Sequence, residues 1–310
     1  MEPIIPYTPL PERYSMKTFQ VNWLWSIWHC VPTKCRLLIY RALLHTLGRR
    51  QGMSSVFRIP FGFYVKLSRA PSEAPAMDFV RANTTIPVPA VLDCIEWLQN
   101  DDRKLLYPVG PTVRWLIVMR GLPGKPIEHG EENMLRSPSK EQLANLRHDL
   151  ADCVNQLRTL TPPDPQKVSS FLGGGIYSFR IDESPRPTGP FSSPAHFHSQ
   201  VFCTAYPDYP DEADDNLKRL IAERPHKEYK IKFTHGDILP HNILVDDELH
   251  ITGLIDWECA SWMPEYWEKA SSLRSFWIHV LSWTAVVQDS FPEYSDDMIL
   301  EYRIQVCYTP

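Results

Sequence analysis

The sequence predicts an α+β chain of two unequal lobes, a small β-rich lobe first and a larger, mainly helical lobe after it. Three observations carry this reading. Strand-like runs and one short helix crowd into the region before residue 120. Residues 120–125, with Gly121, Pro123 and Gly124, have the composition of a hinge. Beyond them helical periodicity dominates and is broken by one compact β-hairpin with acidic residues at its ends.

Residues 56–67 read as a tight hairpin, two β-rich runs broken by Pro60 and Gly62, which places Lys66 on the second strand. Ser72 then offers an N-cap to a helix over 73–82, with Pro75 in the first turn where no amide donor is needed. Ala76, Phe79 and Val80 give that helix its apolar face. Strands follow over 90–97 and 113–119, separated by a polar excursion. Past the hinge, Ser139 and Gln142 have capping-box spacing, and Leu143, Leu146, Leu150, Val154 and Leu157 recur at helical spacing. Tyr229, Ile231 and Phe233 alternate into Thr234-His235-Gly236-Asp237, and the runs 242–245 and 250–255 flank a turn at Asp246-Asp247. Residues 264–310 are helical in character. These elements divide the chain into an N-terminal helical extension over 1–50, a β-rich lobe over 51–120 and a mainly helical lobe over 121–310.

Composition narrows the possible functions. A chain of 310 residues that is 43% hydrophobic can bury a sizeable core, and a formal net charge of -5 lacks the basic footprint of a non-specific nucleic-acid binder. The first residues show no charged start followed by an apolar stretch, so a cytoplasmic location is expected. Seven scattered cysteines without a CxxC pair fit free thiols. The Trp- and Leu-rich stretch 21–47 is interrupted by Pro32, Lys34, Arg36 and Arg41, which excludes a spanning helix. It reads as a pair of amphipathic helices packed on the main body, with a membrane-surface helix as the second reading.

The chemistry gathers near the hairpin. Asn242 follows Asp237 by five residues, and Asp256 lies at the far end of the next hairpin. A hairpin brings its ends together, so these oxygen-bearing side chains can face one site. Magnesium takes such donors together with phosphate oxygens. A loose, highly anionic phosphoryl-transfer transition state asks a protein mainly for positioning and charge neutralisation.

His235-Gly236-Asp237-Ile238-Leu239-Pro240-His241-Asn242, followed by Ile255-Asp256-Trp257-Glu258, resembles the paired HGDxxxxN and IDxx signatures of the aminoglycoside phosphotransferase and choline kinase-like family. The likeness runs roughly from Phe57 to Trp267. It implies a protein-kinase-like bilobal fold and transfer of the γ-phosphate of ATP to a hydroxyl of a small molecule. Asp237 would be the catalytic carboxylate, with His235 ordering the loop, and Asn242 and Asp256 would hold Mg2+. Lys66 would touch the nucleotide phosphates, Glu73 would pair with it, and the backbone of Met119, Arg120 and Gly121 would receive the adenine. Trp257 and Glu258 are either substrate-facing or a packed Trp and a surface carboxylate.

Two features depart from that family's pattern. The hairpin before Lys66 has no glycine-rich phosphate loop, and Arg120 stands where an acid is common. The first keeps a non-catalytic nucleotide-binding scaffold as the alternative reading, and the second leaves the choice of nucleotide open. The acidic run Asp211, Glu212, Asp214 and Asp215 could steer a cationic acceptor.

Overall fold

The computed structural model describes residues 23–51, 55–99, 112–129, 132–181, 186–205, 215–273, 281–291 and 293–308. Most of the excursion between the strands, together with Asp211, Glu212 and Asp214, lies outside them. The chain forms two compact units, the first comprising residues 1–82 and 88–122 and the second 83–87 and 123–310.

The first unit is a five-stranded antiparallel sheet with helices. Helices α1 (Trp23–His29) and α2 (Thr33–Thr46) precede strands β1 (Arg49–Arg50), β2 (Val56–Ile59) and β3 (Phe63–Ser68). Helix α3 (Glu73–Asn83) and strands β4 (Val91–Gln99) and β5 (Thr112–Arg120) follow, in the sheet order β1-β2-β3-β5-β4. The hairpin turns through Pro60, Phe61 and Gly62, and Phe61 and Gly62 both adopt positive φ (66° and 75°). Strand β5 lies between β3 and β4, and its run Trp115-Leu116-Ile117-Val118 is buried throughout, so both faces of the sheet are covered there.

Leu116 and Val118 enter a core with Tyr40, Ile59, Val65, Leu92 and Ile95, against which Trp25, Trp28 and Leu43 pack. The N-terminal helices are therefore part of this core and share its unit. Polar contacts fix them further. Asp93, buried on β4, accepts the Tyr40 hydroxyl at 2.8 Å and pairs with Arg36, while Trp28 Nε1 donates to Tyr40 Oη. A buried carboxylate needs such partners, because desolvation without them costs several kcal/mol.

In the second unit, helix α4 (Lys140–Thr159) starts with the expected capping box, Ser139 Oγ accepting the Gln142 amide and Gln142 Oε1 accepting the Ser139 amide. Its buried face is Leu146, Leu150, Cys153, Val154 and Leu157. Short strands β6 (Lys125–Pro126), β7 (Glu128–His129), β8 (Glu132–Asn133) and β9 (Ser169–Ser170) and helices α5 (Pro194–Ala205) and α6 (Asp215–Glu223) lead to β10 (Ile231–Thr234). The hairpin is β11 (Ile243–Val245) and β12 (Ile251–Leu254), joined on its outer side by β6. Strand β13 (Ser261–Pro264) pairs with β10 and β9, and helices α7 (Trp267–Ser272), α8 (Leu281–Ser290) and α9 (Ser295–Tyr308) close the chain.

Helix α4 braces the hairpin through its polar side. Gln142 and Asn145 donate to the carbonyls of Asp247 and Glu248, and Asp149 accepts the Ile251 amide at 2.9 Å. The turn itself is held by Asp246 Oδ1, which accepts the amides of Glu248 and His250. Further along, Arg180 and Arg224 both pair with the buried Glu301. Burial alone would raise that carboxyl, but the two guanidinium groups reverse the effect and hold it down to about 2. Among the described residues no helix is long and apolar enough to cross a membrane.

Candidate active site

Strand β10 delivers the chain into His235-Gly236-Asp237, and all three residues are buried. Gly236 has φ +78°, and a Cβ there would lie 2.7 Å from the Cys259 carbonyl oxygen. Only glycine meets both demands cheaply. Beyond Asp237 a short 3-10 turn, Pro240–Asn242, brings Asn242 back toward it.

Asn242 Nδ2 donates to the backbone oxygen of Asp237 and to its Oδ2, each at 2.9 Å. With the amide nitrogen committed to Asp237, the amide carbonyl Oδ1 faces away from that carboxylate. The Ile255 amide donates to the Asn242 carbonyl at 3.0 Å, so the residue before Asp256 is tied to Asn242. Asp256 itself is half-buried and left-handed (φ 67°, ψ 66°), which turns the chain out of β12 into the short Trp257–Cys259 turn. The thiol of Cys259 registers the whole cluster. Burial first, then the carboxylates of Asp237, Glu258 and Asp256, push it well above the usual thiol range.

His235 is an ordering residue in this geometry. Its Nδ1 accepts the Asp237 amide at 3.2 Å, which leaves Nε2 to donate to the Ile255 carbonyl at 3.0 Å. Both ring nitrogens are thus committed and the imidazole is the neutral Nε2–H tautomer. Trp257 stacks on the same ring at a centroid distance of 4.4 Å, is fully buried, and donates Nε1 to the Leu254 carbonyl. Of its two readings the packed one holds, while Glu258 is half-buried beside it. His241 is exposed.

One residue of this site carries no signal in the motif. Glu268, fully buried on α7, accepts the amides of His235 at 2.6 Å and Gly236 at 3.0 Å through its two carboxylate oxygens. Burial pushes its carboxyl up to about 7, against the lowering effect of those two amides. The sequence signal is faint, since Glu268 stands among charged and aromatic neighbours, Glu265, Tyr266, Trp267 and Lys269.

In the first unit Lys66 and Glu73 form a buried ion pair, Nζ to Oε1 at 2.7 Å, with both side chains almost fully enclosed. Strand β3 supplies the lysine and the first turn of α3 supplies the acid. Met119 and Arg120 end β5, in register with Tyr64 and Phe63. Here the geometry narrows the expectation for adenine. The Arg120 amide donates to the Ala90 carbonyl and the Gly121 amide to the Gly62 carbonyl, so both are spent inside the sheet and hairpin. A base at these residues would meet carbonyl oxygens in place of those two amides. Gly121 is also a close approach, since a Cβ there would strike the Tyr64 ring at 2.5 Å.

Among the described residues no three His, Cys, Asp or Glu side chains converge as a metal-ligand set. Asn242 and Asp256 nonetheless supply hard oxygen donors of the kind magnesium takes when phosphate and water complete its shell. Cys30, Cys35, Cys94, Cys153 and Cys259 are free thiols.

The comparisons with known proteins agree with this layout. None of the curated protein sequences matches the chain. Among solved structures, the apo form of a thermostable mutant of aminoglycoside phosphotransferase APH(4)-Ia superposes with a TM-score of 0.53 at 15% identity, covering 86% of this chain and 88% of that one. A second structure of APH(4)-Ia gives 0.52 at 16% identity, with 88% of each chain covered. A variant of the same enzyme in ternary complex with ADP and hygromycin B gives 0.51 at 14% identity, covering 86% of this chain and 87% of that one. At these identities the likeness establishes the kinase-like α+β fold. The profile of the phosphotransferase enzyme family matches residues 45–283, which span the Lys66–Glu73 pair, the Asp237 loop and Glu268, and the chain belongs to that family.

Proposed function

We propose that this phosphotransferase moves the γ-phosphoryl group of ATP to a hydroxyl of a small-molecule metabolite. The observation that carries the proposal is the clamp of the Asn242 amide on Asp237, because it fixes one carboxylate oxygen and turns a second oxygen donor outward from the same turn. In the reaction the acceptor oxygen forms a bond to the γ-phosphorus as the bond to the β,γ-bridging oxygen breaks. Asp237 orients the acceptor hydroxyl and takes its proton. His235, with both ring nitrogens committed, holds the loop and moves no proton.

Asn242 and Asp256 would hold Mg2+, which when bound neutralises charge on the phosphate oxygens. Lys66, positioned by Glu73, is the residue proposed to meet the nucleotide phosphates. The carbonyl oxygens of Met119, Arg120 and Gly121 are proposed to face the exocyclic amine of adenine. The absence of a glycine-rich loop does not remove this machinery, since the ion pair and the Asp237 clamp both stand.

The test is magnesium-dependent ATP consumption by the full chain against a panel of hydroxylated metabolites, with products identified by mass spectrometry and Asp237→Asn as the paired control. A phosphorylated product that disappears with Asp237→Asn is the expected result. Tight magnesium-ATP binding with no turnover of any acceptor would favour the scaffold reading, and absence of nucleotide binding would sink the proposal.

A further inference from the structure

Charge is distributed unevenly along this acidic chain. Between Glu12 and Glu73 the sequence contains no carboxylate side chain and ten Lys or Arg residues. Within that stretch, α2 turns one side to the core through Leu37, Tyr40, Leu43 and Leu44. Its other side exposes Lys34, Leu38, Ile39 and Arg41, basic and apolar residues intermixed. Ile27 on α1, Leu47 after α2 and Phe61 at the hairpin tip are exposed as well, Phe61 at 91%. Exposed large apolar side chains of this kind are otherwise represented, among the described residues, by Ile299.

Geometry joins these features. An open apolar pocket of about 370 Å3 in the first unit is lined by Trp25, Trp28, Leu43, Leu47, Ile59 and Phe61. Leu47 and Phe61 thus belong both to the wall of the pocket and to the exposed surface. Arg49 and Arg58, exposed and opposed across the β1–β2 ladder, alternate with Phe57 and Ile59 and so project from the sheet face that carries Lys66, away from this wall; the basic residues of the surface are Lys34 and Arg41 on α2.

We propose that α1, α2 and the β2–β3 tip form a docking surface for an anionic lipid bilayer, with Phe61 and Leu47 entering the acyl boundary and Lys34 and Arg41 meeting headgroup phosphates. The single sign of charge selects this occupant. A protein partner is met by charges of both signs that fix register, and a nucleic acid gives no reason to expose Leu38, Ile39, Leu47 and Phe61. An anionic bilayer presents one sign of charge over an apolar interior, the combination an interfacial helix recognises.

The experiment is co-sedimentation of the full chain with phosphatidylcholine vesicles, with and without phosphatidylserine, at low and high salt. Retention is expected on the serine-containing vesicles and is expected to fall with salt. Each basic residue near an anionic surface contributes roughly fivefold, so Lys34→Gln with Arg41→Gln should lower partitioning about twenty-five-fold. Phe61→Asn, at an exposed left-handed position that asparagine tolerates, should weaken retention with the fold intact by circular dichroism. Equal retention on both vesicle types, no retention on either, or undiminished retention of the double variant would overturn the proposal. Tighter retention on duplex DNA than on the anionic vesicles at the same salt would also overturn it.

Discussion

The side-chain amide of Asn242 holds Asp237 twice, once at the backbone oxygen and once at Oδ2, both at 2.9 Å. The loop conformation and the carboxylate orientation therefore depend on one residue. In Asn242→Ala both bonds are lost, and phosphoryl transfer is expected to fall by about a hundredfold or more, the usual range for a mispositioned general base. The magnesium concentration for half-maximal rate should rise in the same variant. Steady-state rates at varied magnesium and saturating ATP check both; an unchanged magnesium requirement would remove Asn242 from the proposed ion site.

Removing Lys66 leaves the enclosed Glu73 carboxylate without its ammonium. Breaking a buried pair from one side typically costs about 3–5 kcal/mol, whereas replacing both partners by apolar residues costs far less. Lys66→Ala should accordingly lower the urea midpoint more than Lys66→Met combined with Glu73→Leu. The double variant, though folded, should fail to bind nucleotide in a calorimetric titration. Full binding by the double variant would show that the pair serves only the fold.

Glu268 makes stability depend on pH in a specific window. Its carboxyl is raised from an ordinary 4.5 to about 7, so between those values the folded chain binds a proton that the unfolded chain has released. Stability from this group is therefore greatest at the acid end of the window and declines as pH rises through about 7. The full effect is on the order of 3 kcal/mol. In Glu268→Gln that contribution to the slope disappears, so the stability gap between wild type and variant should shrink from pH 5 to pH 8. Chemical denaturation at several pH values measures it, and parallel curves would contradict the assignment.

Gly236→Ala introduces a Cβ 2.7 Å from the Cys259 carbonyl and forces a non-glycine residue to φ +78°. Such strain costs about 1–3 kcal/mol before the clash is counted. Thermal denaturation should show a clear loss, accompanied by weakened activity because the amide of Gly236 itself is one of the two that Glu268 grips.

The elements near the site were legible because their signals are local. Ser139 and Gln142 announce a capping box within four residues, and Asp237 and Asn242 announce a metal-compatible turn within six. What was not legible depends on partners distant in sequence. Glu268 is defined by amides more than thirty residues upstream, and Asp93 by Arg36 and Tyr40 across more than fifty. For Asp93 an acid in an apolar run was the only trace, and Glu268, between Glu265 and Lys269, left less. The packing of 21–47 followed from its amphipathic pattern, but the polar anchor that fixes it did not. The expectation that the backbone of Met119, Arg120 and Gly121 receives adenine did not distinguish amides from carbonyls, because a hinge sequence does not reveal which of its amides neighbouring carbonyls take.

Residues 83–87 sit in the second unit although the chain on both sides of them belongs to the first. The Thr85 amide reaches Gln156 and the Leu254 amide reaches Pro87. During synthesis this short piece leaves the ribosome well before the partners that complete it, and no single cut separates the chain into two self-sufficient halves. A fragment ending near residue 122 would carry away a structural part of the catalytic unit, so exchange of lobes between relatives must graft the 83–87 loop together with the C-terminal portion.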